Sequence, residues 1–324
     1  MKLDFDYPAA TGARSAVVRA AVSAETDTLD DVLLCRPDFL EAVPCCSVTQ
    51  QSVRTGFAAC RETAANQHRA LQDALERNGV RCRTIPAKPG LPDLCFTRDS
   101  AVTTPWGVLG LRPALPHRRP EVDEVLATAR ALGIPVVGRI DRGTVEGGDV
   151  CVARPGLVFI GCSGERTNEQ GTQDVAELFQ RAGWSAVVYP FDPHFLHLDT
   201  QFCMVADDLA LACEEVLDDG FLATLRRLGI ETLPVTYKEA RGLGCNVLAL
   251  GGRRILSSAA NVRVNDCLSA RGFDVEALDV SQFTRCGGGI HCLTMPINRT
   301  ADSSSRRVER DFLNPVRSNG DACE

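Results

Sequence analysis

Residues 97–111, TRDSAVTTPWGVLGL, decide the fold. They read as a polar opening around Asp99, a short apolar strand, a turn and a second apolar strand. The same reading fits residues 147–161 (GGDVCVARPGLVFIG), 197–212 (HLDTQFCMVADDLALA) and 244–258 (GCNVLALGGRRILSS). Asp99, Asp149 and Asp199 are spaced by fifty residues each time, and Asn246 holds the corresponding place in the fourth stretch. Each stretch leads into a helix-like segment, a glycine and another apolar strand. The glycines stand in RNGVRCRTIP (77–86), ALGIPVVGRI (131–140), RAGWSAVVYP (181–190), RLGIETLPVT (227–236) and ARGFDVEALDV (270–280). Five such passages predict five similar modules. A period this long marks an array or a propeller.

Outward from these units the chain organises itself. Residues 57–78 predict a long amphipathic helix ended by Gly79, and further helices are predicted near 120–132, 170–182, 218–228 and 262–271. Each is followed by a glycine suited to a left-handed cap. Strands rich in Val, Ile, Leu and Cys alternate with the helices, which predicts an α/β fold with strands inside. The simplest closed arrangement is a five-bladed α/β propeller of ββα-type modules about a pseudo-fivefold axis. Residues 1–25 read as a flexible leader, 26–300 as a single catalytic domain and 301–324 (polar and aperiodic) as a mobile tail.

Composition bounds the function. At 324 residues the chain can bury one large core or two modest ones. A net charge of −7 disfavours a general role with nucleic acid or anionic membrane but suits a cationic ligand. No apolar run is as long as a membrane span, and the first residues do not read as a secretory signal. The expected setting is therefore cytoplasmic and reducing, with most of the fifteen cysteines free. With no CxxC pair and only five histidines, no structural zinc is expected.

A ring of modules brings together polar residues that lie far apart in sequence: Asp93, Asp99, Glu146, Asp149, His197, Asp199, Asn246, His291 and Cys292. A thiol beside an imidazole is a nucleophile with a general base. Surplus carboxylates around a thiolate would raise its pKa, unless the substrate is itself a cation. A guanidinium is planar, always charged and carries five donors, so paired carboxylates match it. Around Cys292 the chain reads RCGGGIHCLTMPINR (285–299), and the glycines let backbone approach a ligand closely. Taken singly, each of these residues has an ordinary explanation: a buried cysteine, a satisfied histidine, acids of a glycine turn. Their common register sets them apart.

The chain resembles the guanidino-group-modifying enzymes, which comprise arginine deiminases, dimethylarginine dimethylaminohydrolases and amidinotransferases. The resemblance rests on FTRD (96–99), RRPE (118–121), EGGD (146–149), SGERT (163–167), HLDT (197–200), NVLAL (246–250) and GGGIHCLT (287–294), in the family's order. It implies the same five-bladed propeller. It implies Cys292 as the nucleophile, His197 as acid and base, and Glu146 as the residue holding His197. Asp99 and Asp199 would clamp the guanidinium, and Arg118 and Arg166 would bind a substrate carboxylate. Asp93, Asp149 and His291 would complete the substrate site, with support of the GG turn the alternative for Asp149, and help to the thiolate or plain packing the alternatives for His291. No metal and no organic cofactor is implied. The expected partner is a small cationic guanidino compound, with a homodimer left open.

Within the family, HLDT is similar to deiminases and amidinotransferases, and the compact length to dimethylargininases. Deiminases tend to carry an arginine just before the glycines; here Cys286 stands there and Arg285 one step back. The expected activity is hydrolysis of a guanidino C–N bond of arginine or an N-methylated arginine. It would pass through a covalent thiouronium on Cys292 and yield citrulline with ammonia or an amine. An amidinotransferase, and then a non-catalytic arginine-binding relative, are the alternatives.

Overall fold

The computed structural model describes residues 19–301. Its strands and helices are, in chain order, β1 (Thr28–Cys35), α1 (Ser47–Arg54), α2 (Arg61–Arg77), β2 (Arg81–Ile85), β3 (Ala101–Thr104), β4 (Gly107–Gly110), α3 (Arg119–Ala131) and β5 (Val136–Arg139). They continue with β6 (Val150–Arg154), β7 (Leu157–Cys162), α4 (Glu169–Arg181), β8 (Ser185–Pro190), β9 (Phe202–Ala206), β10 (Leu209–Ala212), α5 (Asp219–Arg227) and β11 (Glu231–Pro234). The last are α6 (Tyr237–Arg241), β12 (Leu248–Gly251), β13 (Arg254–Ser258), α7 (Val262–Ala270), β14 (Asp274–Leu278), α8 (Ser281–Arg285) and β15 (Met295–Thr300).

These strands make five three-stranded sheets. In four of them a hairpin pairs antiparallel and its second strand pairs in parallel with the strand that follows the helix: β3-β4-β5, β6-β7-β8, β9-β10-β11 and β12-β13-β14. A parallel partner requires a crossover, and α3, α4, α5 and α7 supply it. The fifth sheet closes the ring. β1 pairs in parallel with β2 across α2, but its antiparallel partner is β15, from the other end of the chain. The module beginning near Leu29 therefore borrows its inner strand from the residues just after Cys292. The result is a five-bladed α/β propeller.

The five crossover helices, α2, α3, α4, α5 and α7, end as their sequence predicts. Gly79, Gly133, Gly183, Gly229 and Gly272 all have positive φ, between 70° and 84°, which relieves the steric cost a Cβ would impose in the left-handed region. The first of these helices starts at Arg61 rather than residue 57, with Cys60 at its N-cap.

The core departs from the expectation of one or two units. It is divided into five clusters, each filling the wedge between two adjacent blades. Phe159, Phe202 and Phe221 meet edge to face between the second and third blades. Leu71 and Leu75 of α2 pack with Leu248 and Leu256 of the fourth blade. No blade can bury its own apolar face, so the blades are stable only as a ring.

The leader boundary also moves. Residues 1–18 lie outside the described residues, but 19–25 belong to the body. Ala20, Val22 and Ala24 are buried. Ala21 donates to Ile297, Val22 to Thr104 and Glu25 to Val152, each through its backbone N–H. The segment thus stitches three blades together, and its alternating small apolar residues fit the packed centre. Of the expected tail, residues 302–324 lie outside the described residues. Among the described residues no helix is long and apolar enough to cross a membrane, and the described cysteines are all free of disulfides.

Candidate active site

Three short 3-10 turns, Thr97–Ser100, Gly147–Asp149 and Leu198–Thr200, precede the inner strands of three successive blades and carry Asp99, Asp149 and Asp199. The fifty-residue spacing is thus the spacing of turns rather than of strand starts. The turns approach one another because glycine permits it. A Cβ on Gly147 would lie 2.0 Å from the Arg98 carbonyl oxygen, and one on Gly148 would lie 2.6 Å from Nδ1 of His197.

The glycine run before Cys292 has the same purpose. Gly288 lies against the Phe96 ring, where a Cβ would come within 2.3 Å, and Gly289 lies against Asn246, within 2.5 Å of Oδ1. Asn246 in turn donates from Nδ2 to the Cys292 sulfur at 3.2 Å and accepts from the His291 N–H at 3.1 Å. The fourth member of the repeat register therefore faces the thiol.

Cys292 is 3 % exposed. Its sulfur lies 3.6 Å from Oδ2 of Asp199. Burial first, then the charges of Asp199 and Asp99, push the thiol well above its ordinary pKa. His197 is fully buried and its Nε2 lies 2.7 Å from Oε2 of Glu146. Burial opposes its charged form, but Asp99, the hydrogen bond to Glu146 and the Asp149 charge outweigh that and raise it to about 10. Glu146 also accepts from Nη1 of Arg166 at 3.0 Å. Burial works against the Glu146 carboxylate, yet Arg166 and His197 hold it well below the usual carboxylate range. The pair is an imidazolium and a carboxylate at neutral pH.

Three buried polar atoms here have no hydrogen-bond partner: Oδ1 of Asp99, Oδ1 of Asp199 and Nδ1 of His197. The first and third are 3.7 Å apart. Orphaned buried polar atoms are costly and rare in folded proteins. Two unmatched acceptors and one unmatched donor, close to a thiol, suit a planar cation whose N–H groups satisfy the carboxylates. The cleft above them is lined by Asp93, Phe96, Asp99, Arg118, Arg166, Leu196 and Cys292 among others.

The structure does not leave every candidate facing the cleft. Asp149 is completely buried, and both its oxygens are engaged, by the Thr167 hydroxyl at 2.5 Å and the Leu198 N–H at 2.8 Å. Burial raises it to about 7, against the opposing pull of His197 and Thr167. It braces the turn after His197. His291 sits behind Asp199: its Nδ1 lies 2.8 Å from Oδ2 of Asp199 and its Nε2 2.9 Å from Oε2 of Glu25. With both ring nitrogens taken, it orients Asp199 and does not touch the cleft.

Arg118 is buried and its donors are spent on Asp99 at 2.6 Å, Glu121 at 3.0 Å and the carbonyls of Asp93 and Phe96. Arg166 divides itself between Glu146 and the Cys45 carbonyl at 3.1 Å. Neither is a surface ion pair: both line the cleft, with their guanidinium groups anchored by these partners. Asp93 lines the cleft with its Oδ2 3.0 Å from Nε2 of His117.

Glu25, Arg98, Glu121 and Cys45 entered the site unforeseen. Arg98 donates to Glu25 at 3.1 Å and contacts His291. Burial disfavours the Glu25 carboxylate, but Arg98 and His291 bring it to about 2. Arg98 and Glu121 stand inside quoted motifs, FTRD and RRPE, which is the only signal they gave. Glu25 gave none, because the blade it stitches lies across the ring.

Asp99, Glu146 and His197 could offer a metal ion one ligand atom each, within 4.8 Å of one another. Arg118 and Arg166 already bring two positive charges to the same carboxylates. That arrangement favours the guanidinium reading over a divalent cation.

A family model described as N,N dimethylarginine dimethylhydrolase, eukaryotic, matches residues 46–299. The chain is 26 % identical to the N(G),N(G)-dimethylarginine dimethylaminohydrolase of Streptomyces coelicolor, over 74 % of this chain and 88 % of that one. It is 30 % identical to the arginine deiminase of Listeria welshimeri, over 64 % and 62 %. Among solved structures, the N-terminal domain of ArgZ, an arginine dihydrolase of cyanobacteria, superposes with a TM-score of 0.74 at 20 % identity, covering 84 % of this chain and 98 % of that one.

Proposed function

Because this chain belongs to the N,N-dimethylarginine dimethylhydrolase family, among the guanidino-group-modifying enzymes and hydrolases of guanidino compounds, we propose that it hydrolyses a C–N bond of an ω-N-methylated arginine, with arginine as the poorer substrate. The observation that carries this reading is the set of unpartnered atoms on Asp99, Asp199 and His197 beside the Cys292 sulfur.

The counting of donors favours the methylated substrate. Each of the two acids has one oxygen already engaged, Asp99 by Arg118 and Asp199 by His291. Two free oxygens remain. An arginine guanidinium brings five N–H groups, and an asymmetrically dimethylated one brings three. The dimethylated head leaves fewer donors unsatisfied, and its methyl groups have Phe96 and Leu196 to pack against. Each buried donor left unpaired costs about 1–3 kcal/mol.

The steps follow from charge. Cys292 rests as a neutral thiol. A bound guanidinium cancels the field of Asp99 and Asp199 and lowers the thiol pKa, the thiol proton passes to solvent, and the thiolate attacks the guanidinium carbon. His197, held as an imidazolium by Glu146, gives its proton to the departing amine and then takes one from water. Water attacks the thiouronium carbon, the C–S bond breaks, and citrulline leaves. Arg118 and Arg166 act chiefly by fixing Asp99 and Glu146. Asn246 supports the sulfur with a hydrogen bond.

The test is product analysis by mass spectrometry after incubation with asymmetric dimethylarginine or L-arginine, each with and without an amine acceptor. Citrulline and dimethylamine without any acceptor, faster than citrulline from arginine, is the expected result. A faster reaction with arginine overturns the donor count. A new guanidino product that requires the amine overturns hydrolysis.

A further inference from the structure

Cys45 and Cys46 are adjacent, both partly exposed, and both line the cleft that contains Cys292. Neither has a part in the reaction proposed above. Cys46 is the N-cap of α1, in extended conformation, so its sulfur stands at the positive end of an eight-residue helix. The Thr49 hydroxyl is 3.4 Å from that sulfur. Cys46 also meets the glycine run directly: a Cβ on Gly287, whose φ is +94°, would lie 3.3 Å from Sγ. Any group attached to Cys46 would therefore lie over the glycines that lead to Cys292.

Cys45 connects the pair to the reaction centre. Its carbonyl and its sulfur, at 3.1 Å and 3.5 Å, both receive Nη2 of Arg166, whose Nη1 holds Glu146, which holds His197. The surroundings stabilise Cys46 as a thiolate. The neighbouring Cys45 thiol, with Thr49 and Arg166 adding to it against the cost of burial, holds Cys46 below its ordinary pKa.

We propose that Cys46, with Cys45 beside it, is a site of reversible S-thiolation by low-molecular-weight disulfides, and that the adduct closes the cleft to substrate. The Cys46 thiolate attacks one sulfur of the disulfide R–S–S–R. A Cys46–S–S–R bond forms, the original S–S bond breaks, and R–S⁻ departs with the electron pair. Cys46 is oxidised and one half of the reagent is reduced to its thiol. A dithiol reductant reverses the step. The cleft is lined by both Cys46 and Cys292, so a group attached to Cys46 and a guanidino substrate compete for the same space.

The effect on activity rests on the function proposed above; the modification itself does not. The experiment has two arms. Cys292→Ser protein is incubated with oxidised glutathione at about pH 6, well below the ordinary thiol pKa of about 8.5, and adducts are mapped by peptide mass spectrometry. A mixed disulfide at Cys46 is expected, and its absence overturns the proposal. In the second arm, wild-type, Cys46→Ser and Cys60→Ser enzymes are each assayed before oxidation, after it, and after dithiothreitol. Cys60 is an exposed thiol at the N-cap of α2 and serves as control.

The wild type and Cys60→Ser are expected to lose activity in proportion to Cys46 modification and to regain it on reduction. The activity ratio of Cys46→Ser is expected to stay unchanged. Equal loss in Cys46→Ser overturns cleft closure. If no guanidino substrate turns over, the proposed function fails, and closure is then read from alkylation of Cys292 by iodoacetamide. Slower alkylation in Cys46-thiolated protein supports closure, and an unchanged rate overturns it.

Discussion

Cys292 and Asp99 make different claims on the reaction and fail differently. On the proposed mechanism, Cys292→Ser removes the nucleophile while leaving the carboxylates that would hold the cation. Turnover is expected to fall by about 10³-fold or more with substrate affinity retained, as is usual when a covalent nucleophile is removed. Rapid-quench kinetics together with calorimetric binding separate the two quantities, and a variant keeping most of its rate would remove Cys292 from the mechanism. Asp99→Asn removes a charge from the clamp. A hydrogen bond to a charged group is worth about 1.5–3 kcal/mol, so affinity is expected to weaken roughly 10- to 100-fold. Titration calorimetry measures this, and an unchanged affinity takes Asp99 out of the clamp. Glu25 adds a pH dependence. Its folded pKa of about 2 lies below the ordinary value, so its stabilisation is complete above about pH 4.5 and is lost as the pH falls through 2. Between pH 5 and pH 3 the melting temperature of Glu25→Gln should fall less steeply than that of the wild type; parallel curves would contradict the assignment.

At the scale of elements, the site is made by turns that could not approach one another with side chains in the way. The EGGD turn shows this best. Gly148 touches the His197 ring, and an added Cβ would meet Nδ1, Cγ and Cβ of that ring within 2.6–2.9 Å. On the proposed mechanism, Gly148→Ala should displace the His197 imidazole and reduce kcat by about 10²-fold, with little change in KM, the size of a general-acid contribution. Its circular dichroism should match the wild type. A fall in KM-dependent terms alone would assign Gly148 to binding instead. The same element shows how far sequence reaches. EGGD was legible as a turn with two acids, and the resemblance set Glu146 beside His197; what the letters did not show is which groups take up both oxygens of Asp149. Those groups are Thr167 and the Leu198 backbone, which saturate Asp149.

For the whole molecule the decisive feature is closure. The first blade to begin is the last to be completed, when β15 pairs with β1. Residues 19–25 cross the ring and bond to three blades. Deletion through Glu25 should therefore lower the melting temperature and depress activity together. It removes buried Ala20, Val22 and Ala24, and takes from His291 and Arg98 their common carboxylate. Differential scanning calorimetry of the truncated chain checks this. An unshifted transition would mean the crossing segment adds no stability. Five interblade wedges in place of a single core also predict cooperative loss of all blades, since each apolar face belongs to two neighbours.

By itself the sequence determined the number of blades, the five crossover helices with their glycine caps (though not the short α1, α6 and α8), and the set of polar residues that gather at the centre. These follow from local chemistry: periodic apolar residues, positive-φ glycines and a fifty-residue repeat. Only the tertiary structure decided which of those residues present free atoms. Asp99 and Asp199 each keep one oxygen open because Arg118 and His291 hold the other, and that halves the acceptors that sequence reading assigned to the substrate. Hydrogen-bond partners across a ring come from residues distant in the chain, such as Glu25 beside His291, and no local pattern encodes which donor reaches which oxygen.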